Sequence, residues 1–329
     1  MTADVRAAGA PAPARPDPAR GTRRSRRREQ RPAWEEPPTV VGETAKGISL
    51  TVVVLLVLFP LYTVLVTSLS TQGAVNRAGG LVVVPDGLTL QAYRYMFSGG
   101  TVTRSIVVGL GVTLVGTVIS LAVSVLCAYG LSRKGSFGHR TLLLTLLVTM
   151  FFNGGIIPTF VVVASLFHGY GQYWALILPS AVSVFNILIM RAFYLGTAAD
   201  LIDAARLDGA GDWRILWSVV LPTSRAVTAV MGLFYGVGYW NNWFNVLLFM
   251  PADNEKWPVQ YVLYQYVSQG ASIPGVGTNM TGAAVAATQV SKLSLQMAML
   301  VVTLIPVLVV YPFVQRHFVK GMLTGAIKG

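Results

Sequence analysis

The sequence predicts an all-α integral membrane protein that crosses the bilayer six times. Three observations lead there. Of the 329 residues 53% are hydrophobic and only 12% charged, about half the charge of a typical soluble domain. The apolar residues gather into runs that each approach the ~20 residues a helix needs to cross hydrocarbon. Lysine and arginine are weighted toward alternate gaps between those runs, as the positive-inside rule requires.

The runs fall at 48–69, 105–131, 141–167, 174–194, 226–250 and 293–313. The third is interrupted by Asn153, Gly154, Gly155 and Pro158; the fourth carries Pro179 and Asn186. Such residues at membrane depth suit a water-lined pathway, where freed backbone groups find partners. They equally suit ordinary helix packing, because glycine and proline are common in membrane helices.

Charge sets the orientation. Arg6, Arg15, Arg20, Arg23, Arg24, Arg26, Arg27, Arg28 and Arg31 supply much of the net charge of +12. They stand in an Ala/Pro-rich segment without apolar periodicity, so residues 1–46 read as a disordered cytoplasmic tail and 47–329 as the membrane domain. A basic tail ahead of a span acts as a topogenic signal more readily than as a nucleic-acid arm, so no nucleic-acid partner is expected. The basic stretch is too long for a signal peptide, and no small-residue cleavage site follows the first run. Further basic residues at Arg133, Arg140, Arg191, Arg206, Arg214, Arg225, Arg316 and Lys320 place both termini and the segment 196–223 inside. The stretches 71–103 and 251–291 then lie outside, as polar loops.

Catalytic and metal chemistry find no footing. Cys127 is the only cysteine, and His139, His168 and His317 are widely separated. That spacing fits no metal site, and no acid pair or nucleophile–base set stands out.

Residues 200–222 are the most informative stretch. Asp200 or Asp203 is placed to cap a short helix, and Gly209 to end it in the left-handed conformation. A second amphipathic helix starts near Asp212, with Trp213, Leu216 and Val220 expected on one face. The small residues Ala204, Ala205, Gly209 and Ala210 leave room for another protein to dock closely. A helix resting on lipid headgroups has similar composition.

The segment resembles the EAA motif of the permease subunits of ABC importers. Asp203-Ala204-Ala205 takes the place of Glu-Ala-Ala, followed by Asp208-Gly209-Ala210 and then Val219-Val220-Leu221-Pro222. The departure is Asp203, which keeps the charge on a side chain one methylene shorter. Phe152 to Thr159, Trp174 to Asn186, and the tail from Gln315 resemble the carbohydrate branch of that family. The resemblance covers roughly residues 45–329.

It implies a permease with a cytoplasmic coupling helix, in which Asp203, Ala204, Ala205, Asp208, Gly209, Ala210, Leu221 and Pro222 engage an ATPase. No G-x-x-x-x-G-K-[ST] run is present for nucleotide phosphates, so ATP and Mg are expected on a partner ATPase dimer, and this chain itself is expected to be neither an enzyme nor a cofactor carrier. A second homologous permease, an extracytoplasmic solute-binding protein and membrane lipid complete the implied partners.

A sugar site needs amides, hydroxyls and aromatic faces. Asn242, Trp243 and Tyr239 in the fifth run, with Asn186 and Asn153, are the candidates, although each also suits helix–helix bonding or interfacial anchoring. Other solutes, such as peptides, are compatible with the same coupling motif. An ion-coupled secondary transporter would carry charged residues within its spans, and these runs carry almost none.

Overall fold

The computed structural model describes residues 39–133, 135, 138–152, 154–197, 199–270 and 290–326, the backbone alone at 197, 199 and 313–326. Its helices, in chain order, are α1 Val40–Ser68, α2 Gln72–Ala78, α3 Gln91–Ser98, α4 Thr101–Ser132 and α5 His139–Phe151. Next come α6 Ile156–Phe160, prolonged by a π-helical stretch Val161–Leu166, and α7 Trp174–Ile177, prolonged by the 3-10 turn Leu178–Ser180. Then follow α8 Val184–Thr197, α9 Ala199–Leu207, and α10 Asp212–Ile215, prolonged by a π-helical stretch Leu216–Val220 and by Leu221–Thr223. The last are α11 Arg225–Trp240, α12 Trp243–Phe249, α13 Val259–Val267 and α14 Lys292–Ala326. Among the described residues the only β feature is an isolated bridge between Ser70 and Leu88.

Three helices are long and apolar enough to cross a membrane: α1, α4, and α14 between Lys292 and Pro312. The count rises to as many as six if each bent pair is one span: α5 with α6, α7 with α8 (bent by 50°), and the α10 segment with α11 (bent by 84°). The prediction of an all-helical membrane protein holds at this level.

Two compact units divide the chain, residues 1–58 and 59–329. In the first, Leu50 and the residues from Val52 to Leu58 of α1 are apolar and exposed. A helix with no buried face and no polar face has lipid as its solvent. Helix already begins at Val40, so the expected tail 1–46 is shortened at its inner end; residues 1–38 lie outside the described residues.

In the second unit, α4 is the axis. Its buried positions are Val102, Ser105, Gly109, Val112, Gly116, Ser120, Ser124, Ala128 and Leu131, with Val125 and Tyr129 beside them. The spacing of three and four residues makes one stripe, and most of it is small, which lets helix backbones approach in lipid. Gly116 shows the closeness: a β-carbon there would lie 2.9 Å from the Tyr239 ring of α11.

Two tyrosines of α11, one turn apart, use that closeness to repair the broken fourth run. The Tyr239 hydroxyl donates to the Ile177 carbonyl (2.9 Å) and shares a hydrogen bond with Ser120 (2.8 Å). The Tyr235 hydroxyl accepts from the Ser183 amide (3.1 Å) and bonds Ser124 (2.6 Å). Backbone groups freed where α7 stops and α8 starts thus receive partners, which hydrocarbon would not supply. At the far end of α4, Arg191 of α8 donates Nε–H to the Leu131 carbonyl (2.8 Å), one of the unpaired carbonyls of a helix C-terminus.

Several expectations need correction. The fifth run is not one helix over 226–250: α11 ends at Trp240, and Asn242 accepts a hydrogen bond from the Asn245 amide (3.3 Å) to cap α12. Two successive asparagines offer the backbone side-chain partners, which compete with a continuing helix. The stretch 251–291 is not simply a polar loop, because α13 buries Val259, Tyr261, Val262 and Tyr266. Likewise α3, within 71–103, buries Ala92 and Met96. Both contribute to a cluster with Val102, Trp240 and Leu295, Ala298, Met299 and Val302 of α14. Their short apolar stripes alternate with polar residues and are diluted in any long hydropathy average.

Gly116→Ala is expected to cost about 1–3 kcal/mol by overpacking, read as a lower melting temperature in detergent. Gly111→Ala, with open space where its β-carbon would sit, is the control and should leave that temperature unchanged or raised. Tyr235→Phe removes one hydroxyl and orphans the Ser183 amide, an expected loss of about 1–3 kcal/mol. Faster amide hydrogen exchange confined to the start of α8 would identify that cause.

Candidate functional site

Two places gather the residues singled out from the sequence. The first is the segment from α9 to the start of α11. Its turn is a complete Schellman arrangement: the Ala210 amide donates to the Ala205 carbonyl (2.9 Å) and the Gly209 amide to the Arg206 carbonyl (3.0 Å). Gly209 adopts φ +77°, a conformation that glycine reaches without steric cost. Neither Asp200 nor Asp203 stands at the cap position expected of one of them. The helix starts at Ala199, Asp200 lies in its first turn, and Asp203 sits mid-helix beside Arg206 (3.3 Å).

The segment has an inner and an outer face. Ile202, Ile215, Leu216 and Val220 are buried with Val125, Ala128, Tyr129 and Leu131 of α4, with Ile187, Met190 and Tyr194 of α8, and with Val227 and Met231 of α11. Ala205, Ala210 and Leu221 pack against the same cluster. An ion pair between Arg133 and Asp212 joins the end of α4 to the start of α10. Ala204, Asp208, Gly209 and Pro222 are exposed. So are Leu207 (90%), Trp213 (66%) and Trp217 (65%). Trp213 therefore does not share the face of Leu216 and Val220. The cause is register: Trp213 and Trp217 are one turn apart on the outer side, while Ile215, Leu216 and Val220 take the inner one.

The second place is a cavity of about 440 Å³ at the break in the fourth run, lined by Ser180, Ser183, Asn186, Phe234, Tyr235, Gly238, Tyr239, Asn242 and Asn245. It brings together Asn186, Tyr239 and Asn242 of the predicted set, from α8, α11 and the cap of α12. Asn186 is 5% exposed, and its backbone amide donates to Ser183 Oγ (3.4 Å). Its side-chain amide bonds no described residue. That amide opens onto the cavity and not into sealed core, so water or a ligand can bond it there. Tyr239 contributes a ring, its hydroxyl being engaged with Ser120 and Ile177.

Trp243 is not part of the lining. It stacks on Tyr264 of α13 with ring centroids 4.2 Å apart and meets Phe244 edge-on, so it joins α12 to α13. Asn153 lies outside the described residues. Ser180 and Ser183 were not among the residues expected to line a site, whereas Asn245, which also lines the cavity, stands in the amide and aromatic cluster of the fifth run. Nothing in the linear pattern marks two serines at a helix break as cavity walls.

No cluster of three or more His, Cys, Asp or Glu suited to a metal ion occurs among the described residues. A larger apolar crevice of about 800 Å³ lies against Pro158, Thr159, Val162, Val163, Phe167 and Trp174. It has the chemistry of a surface packed by hydrocarbon or by another apolar helix.

No protein-family profile matches the chain. The polygalacturonan/rhamnogalacturonan transport system permease protein YtcP of Bacillus subtilis (strain 168) is 41% identical over 248 residues, 75% of this chain and 85% of that protein. Protein LplC of the same organism is 36% identical over 272 residues, 83% of this chain and 90% of its own length. Among solved structures, a bacterial ABC transporter involved in the import of the acidic polysaccharide alginate superposes with a TM-score of 0.76 at 27% identity, over 86% of this chain and 100% of that one. With the relatives aligned over most of their length and the helical fold shared, the chain belongs to the permease subunits of ABC-type carbohydrate import systems.

Proposed function

We propose that this chain forms one half of the transmembrane pathway of an ATP-driven importer for a sugar or oligosaccharide. The observation that carries the reading is the two-faced segment 199–223, rooted in the helix core on one side and exposing Ala204, Leu207, Gly209, Trp213 and Trp217 on the other. A lever needs a rigid root and a free contact face, and this segment has both. We assign it as the coupling helix that docks in a cleft on a cytoplasmic ATPase subunit. ATP and Mg belong to that partner.

Six spans follow when α11 with α12 is taken as the fifth crossing and the α10 segment lies along the inner surface. The 84° bend after Thr223 supports that division, since a helix entering the membrane from its surface turns through about a right angle. With the basic residues inside, both termini are cytoplasmic. The two outer stretches, carrying α2, α3 and α13, then face an extracytoplasmic binding protein. A second permease of the same kind completes the pathway, and sugar passes by the cavity at Asn186 and Asn242.

The segment is tested by cysteine crosslinking in the complex assembled with its ATPase. Ala204→Cys and Leu207→Cys should each form disulfides with cysteines placed in the ATPase cleft. Consistent failure of both, with the ATPase still copurifying, overturns the assignment. Removing residues 1–38 should leave ATP-dependent uptake per correctly inserted protein unchanged, because the reading gives that tail a role only in insertion; loss of uptake in correctly inserted protein would assign it another.

A further inference from the structure

Where α4 ends and α5 begins, the two helices leave a slot of about 360 Å³ between them. Cys127, Gly130 and Leu131 of α4 line it with His139, Leu142 and Leu146 of α5. The slot exists because α5 is loosely seated. It buries none of its residues, and only Leu146 packs against the cluster that roots the segment 199–223. A β-carbon added at Gly130 would meet nothing within 4 Å. The walls are apolar except at one end. There the His139 Nδ1 is buried and bonds no described residue, while the Thr145 hydroxyl nearby is spent on the Thr141 carbonyl (2.9 Å).

An apolar gap is costly to leave empty, since its walls forfeit dispersion contacts. The space holds less than one turn of a helix, which is about 10–12 Å across and rises about 5.4 Å per turn. A lipid acyl chain therefore fits it and a further helix does not. Charge specifies the other end of the occupant. The turn 132–140 carries Arg133, Lys134, His139 and Arg140 and no acid. Arg133 pairs with Asp212, whereas Arg140 is exposed and takes part in none of the ion pairs among the described residues. Basic pockets between membrane helices on the cytoplasmic side hold anionic headgroups. We infer that the slot binds one anionic phospholipid of the inner leaflet, with an acyl chain between Leu131, Leu142 and Leu146 and the phosphate at His139 and Arg140. The inner placement rests on the orientation proposed above. The lipid completes the packing of α5 on α4 beside Leu131, itself a member of the cluster that roots the coupling segment.

Cys127 is the only cysteine of the chain and lines the slot, so its alkylation reports occupancy. The whole transporter is placed in nanodiscs of phosphatidylcholine containing increasing phosphatidylglycerol, and labelling of Cys127 by N-ethylmaleimide is followed by peptide mass. Phosphatidylglycerol should slow the labelling, and phosphatidylcholine alone should leave it fast. Arg140→Gln should raise the phosphatidylglycerol fraction needed for half protection by about fivefold, the weight of one basic side chain beside anionic lipid. Gly130→Leu, which fills the slot from α4, should abolish the difference between the two lipids. Equally fast or equally slow labelling in both lipids would overturn the inference, the slow case meaning that protein covers the slot. Protection that either variant leaves unchanged would overturn it as well, as would protection by inorganic phosphate in discs of phosphatidylcholine alone. A nanodisc offers the same lipids in both leaflets, so the assay is blind to orientation and to cargo. Its failure leaves the importer reading standing, and that reading falls only if no sugar enters in an ATP-dependent uptake assay.

Discussion

A backbone amide or carbonyl inside a membrane has no water to turn to, and the second unit is organised around one place where that constraint is broken and repaired. The fourth run stops as helix at Ile177 and restarts at Val184. Tyr239 and Tyr235, a turn apart on α11, meet the Ile177 carbonyl and the Ser183 amide, while Ser120 and Ser124, a turn apart on α4, complete the hydroxyls. Four helices, α4, α7, α8 and α11, are therefore held by two parallel sets of hydroxyl bonds. The small-residue stripe of α4 exists so that the rings can reach. The break in turn opens the space that Asn186 lines, so a departure from regular helix and a polar cavity are one feature seen from two sides.

The same helices root the surface segment. Ile202, Ile215, Leu216 and Val220 sit in the cluster that contains Ile187 of α8 and Met231 of α11, only a turn or so along those helices from Asn186 and Tyr235. Displacement of the outer face is carried by close-packed side chains, which transmit strain because protein interiors have low compressibility. Arg133 with Asp212, and Arg191 with the end of α4, add polar ties at the same level.

Much of this was legible in the sequence. Three of the long apolar runs appear as whole helices, because twenty apolar residues have few alternatives. The small residues and Gly209 marked the turn at 209 correctly, since a left-handed position selects glycine on local grounds. Asn186, Tyr239 and Asn242 were named and do meet at one cavity. What failed was the reading of features set by tertiary partners. Trp213 was given to the inner face because it is apolar, although register turns it outward. Asn242 looked like part of a span, and its capping of Asn245 divides that span in two. The stripes of α3 and α13 are too short to stand out until α14 packs on them, and Ser180 and Ser183 matter only through a break whose geometry depends on two tyrosines some fifty residues later in the chain.

The exposed tryptophans have a practical side. Trp213 and Trp217 are the two exposed tryptophans among those described, for Trp240 is buried and Trp174, Trp243 and Trp257 are half-buried. An indole in water emits to the red of one in an apolar environment. The segment thus carries its own optical label: whatever covers it, protein or lipid, moves the red edge of the chain's fluorescence, and no dye need be attached to watch it happen.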